Sequence, residues 1–262
     1  MTLIHALLLG LLQGATEFLP VSSSGHLAIA QYFIDGFNQP GVLFDVVLHC
    51  GTLCAVLIYF WQDVRSLLTA PWAKGTEGIE RRRLLGLIIA GSVPTAVIGL
   101  TFKDLLTSLF HNIPLVCAML LVTGTLLFLA ERWRHGQRQQ HQLTLKDALV
   151  TGLVQGLAIL PGISRSGSTI AALLFRGVDG AVAARFSFLL SMPAVAGAAL
   201  LSLRDVDGLA AGQLALYLAG GGMAFVSGLL SIHLLMAVVR KRRLAAFALY
   251  CWGAGVLFFM LS

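Results

Sequence analysis

The sequence predicts an all-α integral membrane protein: six transmembrane helices plus two opposed re-entrant helical hairpins in an inverted-topology repeat. Three observations predict it. The chain is 57% hydrophobic and 11% charged, with mean hydropathy +0.85, whereas soluble domains carry about 25% charged residues. Its apolar runs are separated by short basic loops. Two polar motifs, offset by 142 positions, interrupt the only apolar stretches that are broken in the middle.

Six runs are long enough to span, at about 42–60, 84–102, 114–131, 184–201, 213–236 and 244–261, given roughly 20 residues per crossing. Two further stretches, 2–34 and 145–176, are broken by Pro, Gly and Ser clusters. Neither half of either is long enough to cross. Each reads as two half-helices meeting at a polar loop, which survives at membrane depth only where protein or trapped water satisfies its backbone.

The loop charges set the expected orientation. Fifteen of the 18 Lys and Arg lie in 62–83, 132–146, 176–185 and 236–243. Among them are Arg134, Lys241 and Arg242, while Lys103 and Arg204 stand in the poor loops. The positive-inside rule puts the four rich stretches in the cytoplasm and both termini outside. The first hairpin then dips in from outside and the second from inside. The net charge of +6 reads as topology signal and headgroup contact rather than nucleic-acid binding.

Between residues 2–25 and 144–167, eleven of 24 aligned positions are identical, including Gly10, Gln13, Gly14, Ser22, Ser24 and Gly25. An inverted repeat is the economical explanation, with a site where the broken elements meet. One membrane domain, 1–262, with pseudo-repeat halves 1–141 and 142–262, is expected. Chance similarity between Gly/Ser/Leu-rich segments is the alternative. Cys50, Cys54, Cys117 and Cys251 lie in apolar runs and read as small buried hydrophobes. Residues 2–12 lack a basic n-region and an Ala-x-Ala site, so no signal peptide is expected.

The second motif is Pro161-Gly162-Ile163-Ser164-Arg165-Ser166-Gly167-Ser168-Thr169. A Gly/Ser turn opening a half-helix offers free N–H groups and the positive dipole end to an anion. Ser and Thr caps add donors, and Arg165 adds a fork suited to phosphate. An Arg at that depth needs a counter-ion. A phosphate would supply it, and Glu17 across the pseudo-twofold is the structural alternative.

The first motif is Gln13-Gly14-Ala15-Thr16-Glu17-Phe18-Leu19-Pro20-Val21-Ser22-Ser23-Ser24-Gly25-His26. Glu17 is the only acid in the first thirty residues. It could ligate a divalent cation or take a proton from a serine. Gln13 lies one turn earlier, where its amide oxygen could join a metal shell. Mg²⁺ commonly takes one or two carboxylates plus substrate phosphates. The serines also suit turns and caps, and His26 could be acid, base or bystander. Asp45 and His49, four apart near the outer boundary, could shape the site entrance but read rather as a local hydrogen-bonded pair. Ser92-Val93-Pro94 and Ser191-Met192-Pro193 read as kinks whose Ser re-satisfies freed backbone groups. Arg185 reads as snorkelling.

Gln13 to His26 followed by Pro161 to Thr169 resembles the undecaprenyl-pyrophosphate phosphatases of the bacitracin-resistance type. The likeness runs over essentially the whole chain. It implies a bacterial inner-membrane enzyme that removes the terminal phosphate of the C55 isoprenoid diphosphate. That reaction recycles the lipid carrier for peptidoglycan and other envelope polymers. It implies a divalent cation, Mg²⁺ or Ca²⁺, with Glu17 and Gln13 as its residues, and a site opening outward. By the same likeness Glu17 activates the nucleophile or binds metal, and Ser23 is the nucleophile. His26 and Arg165 complete the catalytic set. Ser164, Arg165 and Thr169 match the phosphate-binding set, beside Gln13, Ser22, Ser24, Gly25, Gly162, Ser166 and Gly167. Many members carry Glu where this chain has Gln13, which weakens a two-carboxylate metal site.

The expected partners are a polyprenyl diphosphate lipid, membrane lipids and, as an open option, a second copy in a homodimer; nucleic acid is not among them. The rival function is a flippase for undecaprenyl phosphate built on the same repeat; it would need Arg165 but tolerate Ser23→Ala. A vanadium-haloperoxidase-like lipid phosphatase expects Lys-x₆-Arg-Pro and a late His-x₃-Asp, which the chain lacks.

Overall fold

The computed structural model describes residues 1–34, 43–110, 112–133, 136–202, 211–240 and 243–262. The loop residues Arg134, Arg204, Lys241 and Arg242 lie outside them. Among the described residues the fold is all helical, with one isolated bridge between Arg138 and Val178. In chain order the helices are α1 (Leu3–Glu17), α2 (Ser23–Tyr32), α3 (Leu43–Tyr59), α4 (Trp61–Leu68), α5 (Gly75–Thr101) and α6 (Lys103–Leu109). They continue with α7 (Ile113–Arg132), α8 (Leu145–Leu157), α9 (Arg165–Phe175), α10 (Gly180–Ser202), α11 (Ala211–Arg240) and α12 (Ala245–Leu261).

All six apolar runs are helical, but the count of spans is coarser than six. Four helices, α5, α7, α10 and α11, are long and apolar enough to cross a membrane. A fifth crossing exists if α3 and α4, bent by 83° at their junction, are taken together. At 17 residues α12 is a shorter apolar helix, at the lower limit of the length that crosses a membrane. These apolar helices make a multi-pass membrane protein. Both prolines sit inside continuous helices. Ser92 donates to the Ile88 carbonyl and Ser191 to that of Phe188, both at 2.8 Å. The carbonyls that Pro94 and Pro193 leave free are those of Ala90 and Leu189, so these serines bond neighbours of the freed groups instead. Cys54 is exposed and Cys50 only partly buried, whereas Cys117 and Cys251 are buried as expected.

Helix pairs approach closely where Gly removes a side chain. α1 lies on α11, and α8 lies on α5. A Cβ at Gly10 would stand 2.2 Å from the Gly220 carbonyl oxygen, and one at Gly152 would stand 1.8 Å from that of Gly91. Small residues at such crossings are how membrane helices pack. The largest core cluster ties Phe18 of the first break to Phe188, Leu189 and Leu190 of α10 and to Leu173 and Leu174 of α9. The Phe18 and Phe188 rings meet edge to face at 5.5 Å.

The basic stretches gather at one end of the molecule. Arg83 of α5 donates to the carbonyls of His141, at 2.7 Å, and Leu143. Asp147, fully buried in the first turn of α8, accepts from Arg138 at 2.7 Å and from Arg176 at 2.5 Å. Arg185 pairs with Asp63 of α4, so it is bonded rather than snorkelling. Glu131 accepts from the Ala245 N–H at 2.5 Å. Stretches 62–83, 132–146 and 176–185 are thus tied together, and the start of α12 is fastened beside them.

Candidate active site

Two helix breaks meet to form the site. α1 ends at Glu17 and α2 starts at Ser23; α8 ends at Leu157 and α9 starts at Arg165. Each new helix is capped by the serine before it. Ser22 Oγ accepts from Gly25 N–H at 3.2 Å, and Ser164 Oγ from Gly167 N–H at 3.0 Å. The second cap hydroxyl of each tip lies alongside: Ser24 is 3.4 Å from Ser22, and Ser166 is 3.3 Å from Ser164.

The tips touch through their glycines. A Cβ at Gly25 would stand 2.9 Å from Gly162 Cα, and one at Gly167 would stand 3.1 Å from Pro20 Cβ. Gly162 has φ +92° and faces the Val116 carbonyl oxygen, so both its backbone and its surroundings demand Gly. Ser22 has φ 70° and is the one non-Gly residue with positive φ among the described residues. Such a conformation costs about 1–3 kcal/mol and marks over-determined, functional turns.

Glu17 is the hub of the site. Ser23 Oγ donates to its Oε2 at 2.5 Å, and Gln13 Nε2 donates to the same oxygen at 2.8 Å. Arg165 donates to Oε1. Gln13, Glu17 and Ser23 are buried, while Arg165 is partly open. The counter-ion of Arg165 in this structure is therefore Glu17, the alternative raised by the sequence. Of the residues read from sequence, Gln13, Glu17, Ser23 and Arg165 form one network.

Thr169 is held back from that network. Its hydroxyl bonds the Arg165 carbonyl at 2.8 Å and the Ser187 hydroxyl at 2.5 Å. His26 is not in it either. Its Nδ1–H donates to the Ser22 carbonyl at 2.7 Å, which leaves Nε2 to accept from the Tyr250 hydroxyl at 2.7 Å. It braces the strained turn before Ser23.

Three site residues escaped the sequence reading. His49 does not pair with Asp45. Its Nδ1 lies 2.9 Å from Gln13 Nε2 and 3.4 Å from Glu17 Oε2, while Asp45 accepts from Gln31 at 2.6 Å. Tyr250 and Ser187 are the others. All three reach the site from distant helices, and no local spacing signals that.

The oxygens at hand fit a hard cation only in part. Gln13 Oε1 is buried and has no hydrogen-bond partner, and it sits on the amide that bonds Glu17. No group of three or more His, Cys, Asp or Glu side chains suited to a metal ion occurs among the described residues. One carboxylate and one amide oxygen would give a hard cation two ligands, and the rest of its shell would have to come from elsewhere.

Comparison with known proteins gives a consistent result. The family described as bacitracin resistance protein BacA matches residues 6–257. The undecaprenyl-diphosphatase of Syntrophotalea carbinolica is 59% identical over 262 residues, covering 100% of both chains. That of Desulforapulum autotrophicum is 43% identical, covering 98% of this chain and 97% of its own. That of Halothermothrix orenii is 42% identical, covering 100% and 99%.

Proposed function

The chain belongs to the bacitracin resistance protein BacA family, and we propose that it is an undecaprenyl-diphosphatase whose site is the junction of the two helix breaks. It hydrolyses undecaprenyl diphosphate to undecaprenyl phosphate and inorganic phosphate. The observation that carries the site is that Glu17 bonds both a buried serine hydroxyl, at 2.5 Å, and Arg165. A carboxylate against a hydroxyl is a base on a nucleophile. A guanidinium beside them suits the charge that phosphoryl transfer must neutralise.

In the mechanism, the terminal phosphate of the substrate draws Arg165 from Glu17. Ser23 Oγ attacks the terminal phosphorus while Glu17 accepts its proton. The bond to the bridging oxygen breaks, and undecaprenyl phosphate leaves with that electron pair. Water then attacks the phosphoserine, and Ser23 regains its proton as phosphate departs. The N–H groups that open α9, together with Ser164 and Ser166, line the phosphate; Gly162 and Gly167 let the backbone approach it. Ser22, Ser24 and Gly25 line it from the other tip. Thr169 holds the first turn of α9, and His26 holds the turn before Ser23. A divalent cation, held by Glu17 and Gln13 Oε1 with phosphate oxygens, would supply charge neutralisation when bound.

The same reading includes six crossings and two re-entrant hairpins, α1–α2 and α8–α9, in an inverted repeat of halves 1–141 and 142–262. Its support is that one offset of 142 relates the glycines and serines at equivalent places. Gly10 and Gly152 each meet a helix of the other half, and Gly25 and Gly167 each meet the opposite tip. Ser22 and Ser164 cap alike. The grouping of basic stretches at one end supports a cytoplasmic assignment for that end, with both termini outside and the site reached from outside.

The test is phosphate release from the C55 diphosphate by detergent-purified protein, with Mg²⁺ or EDTA. Metal-dependent release that Ser23→Ala and Arg165→Ala both abolish is the expected result. Release unchanged in Ser23→Ala would remove the serine from the mechanism, and a phosphoserine trapped on Ser23 would exclude direct attack by water.

A further inference from the structure

A primary amide has two N–H donors and one oxygen that accepts. Gln13 uses both donors: one goes to Glu17 Oε2 at 2.8 Å, the other to His49 Nδ1 at 2.9 Å. With the amide as donor, His49 accepts on Nδ1 in the tautomer that carries its proton on Nε2; Glu17 Oε2 stands 3.4 Å from the same nitrogen. The arrangement fixes which way the amide points. Glu17 alone would not, because one hydrogen bond leaves the amide free to turn about it. With both N–H groups engaged, Oε1 is buried and has no partner. A buried acceptor without a donor calls for a partner, and a hard cation is a ligand that an amide oxygen and a carboxylate can both serve.

Gln155 is the counterpart of Gln13 at the same 142 offset. It too leaves its Oε1 unpartnered, but its amide donates to Thr95 Oγ1 and the Leu190 carbonyl. It therefore has neither a carboxylate nor an imidazole as partner. The imidazole is supplied to Gln13 alone, by α3.

We propose that His49 is a positioning residue of the active site. By accepting one Gln13 N–H it orients the amide so that Oε1, on the amide that bonds Glu17, is left free for the divalent cation that accompanies the diphosphate. This rests on the phosphatase reading above.

Manganese binding tests it directly. Purified protein is titrated with Mn²⁺, followed by electron paramagnetic resonance, in the presence of a methylene-bridged prenyl diphosphate that cannot be hydrolysed. Removing a residue that orients a metal ligand typically weakens binding by about 10- to 100-fold. His49→Phe keeps the ring and loses the acceptor, so its Mn²⁺ affinity is expected to fall about tenfold with the melting temperature held. His49→Asn places Oδ1 where Nδ1 stands, and is expected to recover most of the loss. Gln13→Ala is expected to match His49→Phe, and the double variant to be no weaker than the worse single one, since both remove the same interaction.

Wild-type Mn²⁺ affinity in His49→Phe would overturn the proposal. So would His49→Asn binding as poorly as His49→Phe in folded protein. Should His49→Phe fail to fold, His49→Asn and Gln13→Ala still decide: wild-type affinity in Gln13→Ala overturns it. Phosphate release by the wild type separates the two readings, because its absence would sink the phosphatase and not merely the role of His49.

Discussion

Glu17 and Arg165 stand 148 positions apart in sequence and form an ion pair where the two helix breaks meet. The pair holds each partner for the other's use. Glu17 is held against Ser23, and Arg165 is held where the two breaks meet. In the proposed mechanism an exchange of partners, carboxylate for phosphate, starts the reaction.

Removing the guanidinium has two separable effects. Loss of a donor to developing charge typically costs about 10²–10³ in kcat, and Arg165→Ala should show at least that. It also strands a buried carboxylate, so the melting temperature should fall. Glu17→Gln/Arg165→Ala should regain the melting temperature without regaining activity. Thermal unfolding and phosphate release on the three proteins check this. A double variant no more stable than Arg165→Ala would show that the pair carries no stability.

Tyr250 should matter through His26 alone. Tyr250→Phe deletes one neutral hydrogen bond, worth about 1 kcal/mol, which is roughly five- to tenfold in rate. The loss should appear in kcat with KM unchanged, because the phenol bonds His26 Nε2 and so braces the turn before Ser23, the proposed nucleophile. A rise in KM alone would instead place Tyr250 against the substrate.

The glycine crossings predict an asymmetry between residues of the same type. Gly152→Ala would drive a Cβ to 1.8 Å from the Gly91 carbonyl oxygen, a backbone atom that cannot rotate away. Overpacking of this kind costs about 1–3 kcal/mol, occasionally more, and the upper end is expected. Gly86, exposed on α5, has no atom within 4 Å of its would-be Cβ. Gly86→Ala should stabilise the helix by about 0.5–1 kcal/mol. Melting temperatures in detergent compare the two, and equal effects would contradict the close crossing of α5 and α8.

Gln13, Glu17, Ser23 and Arg165 were legible in the sequence because two polar motifs inside hydrocarbon need a reason, and one offset pairs them. The helical runs were legible for the same cause, apolar composition. What was hidden depends on which helix packs on which. His49 looked like a partner for Asp45 because they are four apart; α3 in fact turns His49 to Gln13 and Asp45 to Gln31. Tyr250 lies 224 positions from His26. The number of crossings was less legible, because composition does not report that α3 bends into α4 or that α12 stops at 17 residues. Arg185 finds Asp63 only after α4 and α10 are brought together.

Asp147 gives a prediction in pH. Burial pushes its carboxyl up, but bonds from Arg138, Thr144 and Arg176 outweigh that and hold it well below the usual carboxylate range. A group depressed in the folded state contributes stability that is complete above its unfolded value, about 3.9. That contribution is lost only as pH falls through the folded value. Asp147→Asn removes the charge that ties residue 138 to 176, at the end where the basic stretches gather. The melting-temperature gap between wild type and Asp147→Asn should therefore be wide at pH 7 and unchanged down to about pH 4.5, then close below about pH 4. A gap that closes between pH 7 and pH 5 would mean that the carboxyl titrates at or above its ordinary value. The two arginines would then not be its partners in the folded protein.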